Sequence, residues 1–177
     1  LEYDVEPFTI LPEVKEYYQT NIVERGSKAN DEWNNLLTEY ACKYPSDYDL
    51  LTHYLYEDMV VGDMSDMPKY EIGQSVSTRV VMGKMLDWLS LKLPKLMGGS
   101  ADLSSSTMVK GADGIFGASN PLGRNIKFGV REHAMAAIIN GITVHGGLQG
   151  FCAGFFVFSD YLKPAVRLAA IMRIPSL

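Results

Sequence analysis

The residue best suited to chemistry in this sequence is Glu132, within the segment 129–137 that reads GVREHAMAA. A short strand is predicted before it and an almost wholly apolar helix after it. Its carboxylate is therefore expected at the carboxyl end of a parallel strand, where open α/β sheets bind ligands. There it could hold or transfer a proton, or it could serve only to stabilise the first helical turn by about 0.3–1 kcal/mol.

An aromatic repeat is the second feature, because Phe155, Phe158 and Tyr161 recur at every third residue. In a helix this spacing puts the three rings along one side. Such a face packs into a core or lines a pocket for a flat ligand. The helix is predicted over residues 155–172, and Pro164 inside it is expected to produce a kink because proline has no N–H.

The third feature is a long segment, residues 100–125, rich in glycine, serine, asparagine and aspartate. Loops of that length within a compact domain are usually functional or disordered. The hydroxyl side chains from Ser104 to Thr107 are the candidate ligand-binding groups, and a plain solvated loop is the alternative. The sequence contains no glycine-rich phosphate loop, no nucleophile elbow and no Cys/His cluster with metal-ligand spacing, so no metal ligand is expected.

The elements that must position these residues alternate between helix and strand after residue 74. This order predicts an α/β domain with an open parallel sheet, right-handed crossovers and flanking helices. About three strands are predicted, fewer than the five or six of an average sheet, so we expect a partial sheet in a truncated chain. The predicted elements are a helix over 76–91 capped by Ser75, strands over 95–99, 126–130 and 149–153, and helices over 131–144 and 155–172.

A short all-helical segment is predicted before this domain. Helices are expected over 11–18 and 28–43, with Gly26 ending the first and Ser27 capping the second, and a third helix begins at Ser46. The second helix has an apolar face that is expected to be buried, consisting of Trp33, Leu36, Leu37 and Tyr40.

Residues 61–74 are predicted to be a linker because glycine, proline, serine and aspartate are frequent there. The sequence is therefore divided into a helical region (1–60), the linker (61–74) and the α/β domain (75–177).

Composition and charge narrow the class of partner. The 177 residues include 16 Lys and Arg against 21 Asp and Glu, for a net charge of −5. This acidic balance argues against a nucleic-acid or anionic-membrane surface, and no apolar run reaches the roughly 20 residues that cross a bilayer. Cys42 and Cys152 lie far apart without a CxxC motif, which fits the reducing cytoplasm. The expected partner is a small molecule or another protein.

Several motifs together, in order and at nearly the right spacing, closely resemble the pyrimidine-binding domain of the transketolase family. The helices before the linker resemble the tail of the diphosphate-binding domain of the same family. The motifs are GGSADL (98–103), Ser106, GVREHAM (129–135), Asn140-Gly141-Ile142, the F-x-x-F-x-x-Y repeat (155–161) and Ala165-Val166-Arg167.

This resemblance implies a truncated thiamine-diphosphate-binding fold, in which the cofactor carries the carbanion chemistry. Glu132 would face a nitrogen of the cofactor's pyrimidine ring and share a proton with it, a role that apolar surroundings favour by stabilising the protonated carboxyl. Phe155, Phe158 and Tyr161 would line the pyrimidine pocket, with Phe158 stacking on the ring. Asp102 would lie in a dimer-contact segment near the cofactor.

The implied reaction is reversible transfer of a two-carbon ketol unit from a ketose phosphate, such as xylulose 5-phosphate, to an aldose phosphate in the pentose phosphate pathway. Arg79 and Ser106 match the arginine and serine that hold the phosphate of the sugar in this family. The complete site would lie between the two subunits of a homodimer. The family's motif for Mg²⁺ and diphosphate is absent from this sequence, so we expect the 177-residue chain alone to be inactive.

Two alternatives remain at this stage. A dihydroxyacetone synthase-like transferase would share the REHAM-like and aromatic motifs, although the combination of GGSADL with Arg79 and Ser106 favours a phosphorylated acceptor. From a different class, the chain could be a non-catalytic interaction module that docks through the exposed edge of its sheet.

Overall fold

A computed structural model describes residues 6–175, which divide into one unit ending at Thr52 and a second beginning at His53. The first five residues of the predicted helical region and the last two residues of the predicted α/β domain lie outside the described part. The division into 1–60, 61–74 and 75–177 remains a prediction.

The first unit is helical, as expected, but its helices are not separated as predicted. Helix α1 (Pro12–Tyr18), a π-helical segment (Gln19–Glu24) and helix α2 (Arg25–Lys43) follow one another without a break, and helix α3 (Pro45–Tyr56) comes next. The prediction that Gly26 ends a helix and Ser27 caps another is therefore wrong. A glycine inside a helix costs only about 1 kcal/mol relative to alanine, which helix-forming neighbours on both sides can offset.

The apolar face predicted on α2 is not buried. Trp33 is 53% exposed and Leu36 is 58% exposed, and no residue between 6 and 52 is buried. The spacing correctly indicates a helix, but burial depends on a second layer, which the described residues of this unit do not supply.

The second unit confirms the predicted α/β class, with a parallel three-stranded sheet in the order β2-β1-β3. The predicted bounds of β3 match the structure, and those of most other elements differ from it by one to three residues. Residues 104–107 of the predicted loop form a short helix. The elements are α4 (Thr78–Lys92), β1 (Leu96–Ser100), α5 (Ser104–Thr107), β2 (Asn125–Lys127), α6 (Glu132–His145), β3 (Gln149–Ala153), a 3₁₀ turn (Phe156–Phe158) and α7 (Ser159–Met172).

Strand β1 is the centre of this unit, because all five of its residues are buried. A Cβ atom at Gly98 would lie 2.0 Å from the carbonyl oxygen of Phe151, and one at Gly99 would lie 2.1 Å from that of Ile126. The two glycines of the GGSADL motif are therefore required by the close approach of both neighbouring strands. Two apolar clusters lie in this unit, one of Leu86, Leu93, Leu96, Val109 and Phe151, the other of Ala101, Phe128, Met135 and Ile139.

Arg124 ties the segment before β2 to the centre of this unit. Its side chain is only 13% exposed, and its Nε donates to Oδ2 of Asp113 at 2.6 Å. One guanidinium thus joins the long segment after α5 to the end of α4 and the start of β1. The Arg124 guanidinium also donates, at 2.9–3.3 Å, to the main-chain carbonyls of Ser90, Leu93, Pro94 and Leu96.

The segment 61–74 docks on α4 through the carboxylate of Asp66. It accepts hydrogen bonds at 3.1 Å from Nε1 of Trp88 and from Nζ of Lys92. The Lys92 ammonium also lies 5.9 Å from the centroid of the Trp88 ring. The hydrogen bond from Trp88, and then that from Lys92, lowers the pKa of Asp66 below its ordinary value.

Acidification below about pH 4 is expected to release segment 61–74 from α4. A carboxylate whose pKa is lowered in the folded state stabilises that state fully only above its unfolded pKa. This stabilisation is lost as the pH falls through the folded pKa. Trp88 fluorescence, followed from pH 6 to pH 2 in a Trp33→Phe background, should show a transition that Asp66→Asn abolishes. The same transition in Asp66→Asn would contradict this assignment.

Among residues 6–175, no helix combines the length and apolar character needed to cross a membrane.

Candidate functional site

The candidate residues follow the carboxyl ends of three adjacent parallel strands. Asp102 and Ser106 follow β1, Glu132 follows β2, and Phe155 and the residues after it follow β3. Because parallel strands end at the same edge of a sheet, the fold brings these segments to one edge.

Glu132 is the first residue of α6 and is half-buried. The turn before it is tight, because Gly129 has a left-handed φ of +69° and Nη1 of Arg131 donates to the carbonyl of Phe128 at 2.7 Å. Within the described residues, the Glu132 carboxylate has neither a hydrogen bond nor an ion pair. It is thus free to bind a group that donates or shares a proton.

The aromatic repeat is not a continuous helical stripe, so the predicted start of its helix is wrong. Phe155 is extended (ψ 144°), a 3₁₀ turn covers Phe156–Phe158, and α7 begins at Ser159. Because Phe155 is extended and not helical, its ring does not continue a helical row with Phe158 and Tyr161. The ring centroids of Phe158 and Tyr161 are 6.4 Å apart, and their planes are tilted by 31°. Phe158 is half-buried and Tyr161 is 65% exposed, which leaves their rings accessible to a ligand.

Arg79 and Ser106 are in contact in the structure. Nη1 of Arg79 donates to the main-chain carbonyl of Ser106 at 3.3 Å, and the Ser106 hydroxyl has no partner within residues 6–175. Arg79 and Phe155 also line the same cleft, which has a volume of about 550 Å³. A guanidinium and a free hydroxyl near one cleft suit a phosphate group.

Asp102 lies directly after β1, in the left-handed region (φ +58°), and is exposed. Its main-chain N–H donates to the carbonyl of Ser100 at 2.9 Å. The structure therefore places Asp102 at the predicted edge, with no bond to the other candidate residues in the described part of the chain.

Sequence reasoning missed most of the residues that line the Arg79 cleft. Ser77 and Thr78 directly precede Arg79 at the start of α4, and this adjacency is a signal that could have indicated a shared helix terminus. Thr107 is one of the hydroxyl residues that the sequence indicated, whereas Val109 had no such signal because the turn after α5 brings it in. The missed lining residues are Ser77, Thr78, Met82, Val109, Ala153, Gly154 and Phe156.

Asn140, part of one of the sequence motifs, has a positioning role. Its Nδ2 donates to the carbonyl of Ala165 at 2.8 Å and so joins α6 to α7. Helix α6 begins with Glu132, and helix α7 begins directly after Phe158. The hydrogen bond therefore joins the helix that begins with Glu132 to the helix that contains Tyr161.

The groups at this edge fit a flat nitrogen heterocycle. An unpaired, half-buried carboxylate can share a proton with a ring nitrogen, and an aromatic pair can orient the plane of the ring. Arg79 and Ser106, which are joined by a hydrogen bond, add a cationic group and a hydroxyl to these candidate residues.

Known proteins resemble the chain over nearly its whole length. Residues 74–177 match the family model described as transketolase, pyrimidine binding domain. Transketolases of Halalkalibacterium halodurans and Bacillus subtilis are 44% and 42% identical to the chain over 173 and 172 residues. These alignments cover 95% and 96% of the chain but only 25% and 26% of the relatives.

Solved structures give the same result. The transketolase of Leishmania mexicana superposes with a TM-score of 0.84 at 31% identity, and one from Pichia stipitis in complex with xylulose 5-phosphate with 0.83 at 32%. Each superposition covers 97% of this chain and 26% of the other. The chain thus spans about a quarter of the length of the proteins that it matches.

Proposed function

The chain belongs to the transketolase family, and from this we propose that it forms the pyrimidine-binding half of a thiamine diphosphate site. The site would serve reversible transfer of a two-carbon ketol unit between sugar phosphates. The observation that carries the proposal is the placement of three groups at one sheet edge: the free carboxylate of Glu132, the Phe158–Tyr161 pair and the Arg79–Ser106 pair.

Thiamine diphosphate, when bound, supplies the carbanion chemistry that amino-acid side chains cannot. Glu132 holds a proton on its carboxyl and shares it with a nitrogen of the pyrimidine ring. Phe158 and Tyr161 orient the plane of that ring, and an offset stack adds about 0.5–1.5 kcal/mol beyond the burial of area. Phe155 lines the adjoining cleft, and Asp102 would lie near the cofactor in a segment that contacts the second subunit.

Arg79 and Ser106 bind the phosphate of the sugar. The planar guanidinium offers two parallel N–H groups to a phosphate, which a lysine cannot do. The complex of a Pichia stipitis transketolase with xylulose 5-phosphate supports a ketose phosphate as the substrate.

The remaining half of the site lies outside this chain. We assign the ligands of Mg²⁺ and of the diphosphate to the diphosphate-binding domain of a second subunit, so that the active unit is a homodimer. Cys42 and Cys152 are both unpaired, which supports a reducing cytoplasm as the location. The transketolases among the relatives support this reaction over that of a dihydroxyacetone synthase.

A chimera tests this function. The chain replaces the matching 172 residues of the Bacillus subtilis transketolase, to which it is 42% identical. The chimera is expected to transfer a ketol unit from xylulose 5-phosphate to an aldose phosphate, whereas the 177-residue chain alone is not. A folded, dimeric chimera without turnover, or turnover by the chain alone, would contradict the proposal.

Arg79→Lys in the chimera is expected to raise the KM for xylulose 5-phosphate about tenfold with little change in kcat, because one charge-assisted hydrogen bond is lost. The KM for unphosphorylated xylulose should not change. The control is Arg25→Lys, at an exposed arginine of α2. Equal effects on both ketoses would show that Arg79 acts on the fold and not on the phosphate.

A further inference from the structure

A second cleft, of about 360 Å³, lies between α4 and the segment that begins with α5. None of the residues that line it lines the Arg79 cleft. The two clefts use alternate residues of one short segment, since Thr107 and Val109 line the Arg79 cleft whereas Met108 and Lys110 line the second. The proposed function therefore leaves this second cleft without a role.

Four of the polar side chains that line the second cleft are donors without partners in the described residues. Lys84 on α4 and Lys110 after α5 both line it, and in residues 6–175 neither ammonium group has a carboxylate within 4.0 Å or a hydrogen bond. The hydroxyl groups of Ser104 and Ser105 also line it and have no partner in the same residues. Two cations and two hydroxyl donors around one cleft are a suitable environment for a phosphate group.

The other lining groups distinguish a phosphate ester from a bare phosphate ion. Asp87 brings a carboxylate without an ion pair in the described chain, which repels phosphate but accepts hydrogen bonds from alcohol hydroxyls. Val80, Gly83 and Met108 add an apolar surface that can contact the carbon face of a polyol. The volume exceeds what one phosphate occupies and lies at the lower end of the roughly 300–1,000 Å³ range of small-molecule sites.

We propose that this second cleft binds a small phosphorylated polyol, with Lys84, Lys110 and the two serines on the phosphate and Asp87 on the hydroxyls. The inference does not rest on the proposed function, because no residue of the ketol-transfer site takes part. It adds a second binding site for a sugar-phosphate-like ligand to the same unit.

Isothermal titration calorimetry of the 177-residue chain with glycerol 3-phosphate tests this site, with inorganic phosphate and glycerol as separate probes. We expect glycerol 3-phosphate to bind with a Kd in about the millimolar range, inorganic phosphate more weakly and glycerol not at all. The double variant Lys84→Gln/Lys110→Gln should weaken binding at least about tenfold, and Asp87→Asn should remove the preference for the ester over inorganic phosphate.

Two controls make the outcome decisive. Lys69→Gln removes another exposed lysine without an ion pair in the described chain and should leave the Kd unchanged. All titrations are made in an Arg79→Gln background, which removes the arginine of the other cleft, so that the measured heat reports on the second cleft. Unaltered binding by the double lysine variant in this background, or loss of binding in Arg79→Gln alone, would overturn the proposal, as would equal affinity for glycerol 3-phosphate and inorganic phosphate. Circular dichroism of each variant verifies its fold.

Discussion

Glu132→Gln in the chimera is expected to lower the kcat of ketol transfer by about 10²–10⁴-fold, the usual contribution of a positioned acid or base. Glutamine has nearly the same shape, and Glu132 has no partner in the described chain that the substitution could break. What the amide loses is the capacity to take up and release a proton. The measurement is steady-state turnover with saturating thiamine diphosphate, Mg²⁺ and xylulose 5-phosphate.

Asp160→Asn is the matched control for this variant. Asp160 lies in the first turn of α7, as Glu132 does in α6, and within residues 6–175 its exposed carboxylate pairs only with Lys163. If Glu132 served only to stabilise a helix terminus, both substitutions would have the same small effect on stability and neither would change turnover. Equal turnover of the two variants would therefore contradict the catalytic assignment.

Arg124→Met is expected to lower the free energy of unfolding of the chain by about 3 kcal/mol or more, because several half-buried acceptors lose their donor at once. The carboxylate of Asp113 loses its cation as well, and the segment after α5 loses its attachment to α4 and β1. Urea denaturation followed by Trp88 fluorescence, in a Trp33→Phe background, measures the shift.

Two further variants separate the hydrogen bonds of Arg124 from its charge. Arg124→Lys keeps the charge but cannot reach four carbonyls and a carboxylate together, so we expect most of the loss to remain. Arg167→Met removes an exposed arginine of α7 that has no bond in the described chain, and should unfold at the same urea concentration as the parent. An unchanged midpoint for Arg124→Met would show that this network is dispensable.

Local patterns in the sequence were sufficient for the fold class and for the position of Glu132 between a strand and a helix. The alternation of strands and helices predicted the parallel sheet, and the acidic residue between strand and helix placed Glu132 at its edge. These features depend on residues close together in the chain, where hydrophobic periodicity and helix start signals are informative. The Arg79–Ser106 contact, across 27 positions, was expected only from the family resemblance.

The predictions that failed did so for two physical reasons. Gly26 was predicted to end a helix, although a single glycine lowers the stability of a long helix only modestly. Phe155 was included in α7 because of its spacing, although the extended residue and the 3₁₀ turn delay the helix to Ser159. The Arg124 network was not predicted, since a side chain that binds carbonyls about 30 positions away leaves no periodic signal.

A crystal structure of the chimera with thiamine diphosphate bound tests directly whether Glu132 and Phe158 bind the pyrimidine ring. We expect a carboxylate oxygen of Glu132 within about 3.2 Å of a pyrimidine nitrogen, and the ring of Phe158 within about 4.5–7 Å of the pyrimidine. A bound cofactor whose pyrimidine lies away from Phe158, with Glu132 facing solvent, would contradict it.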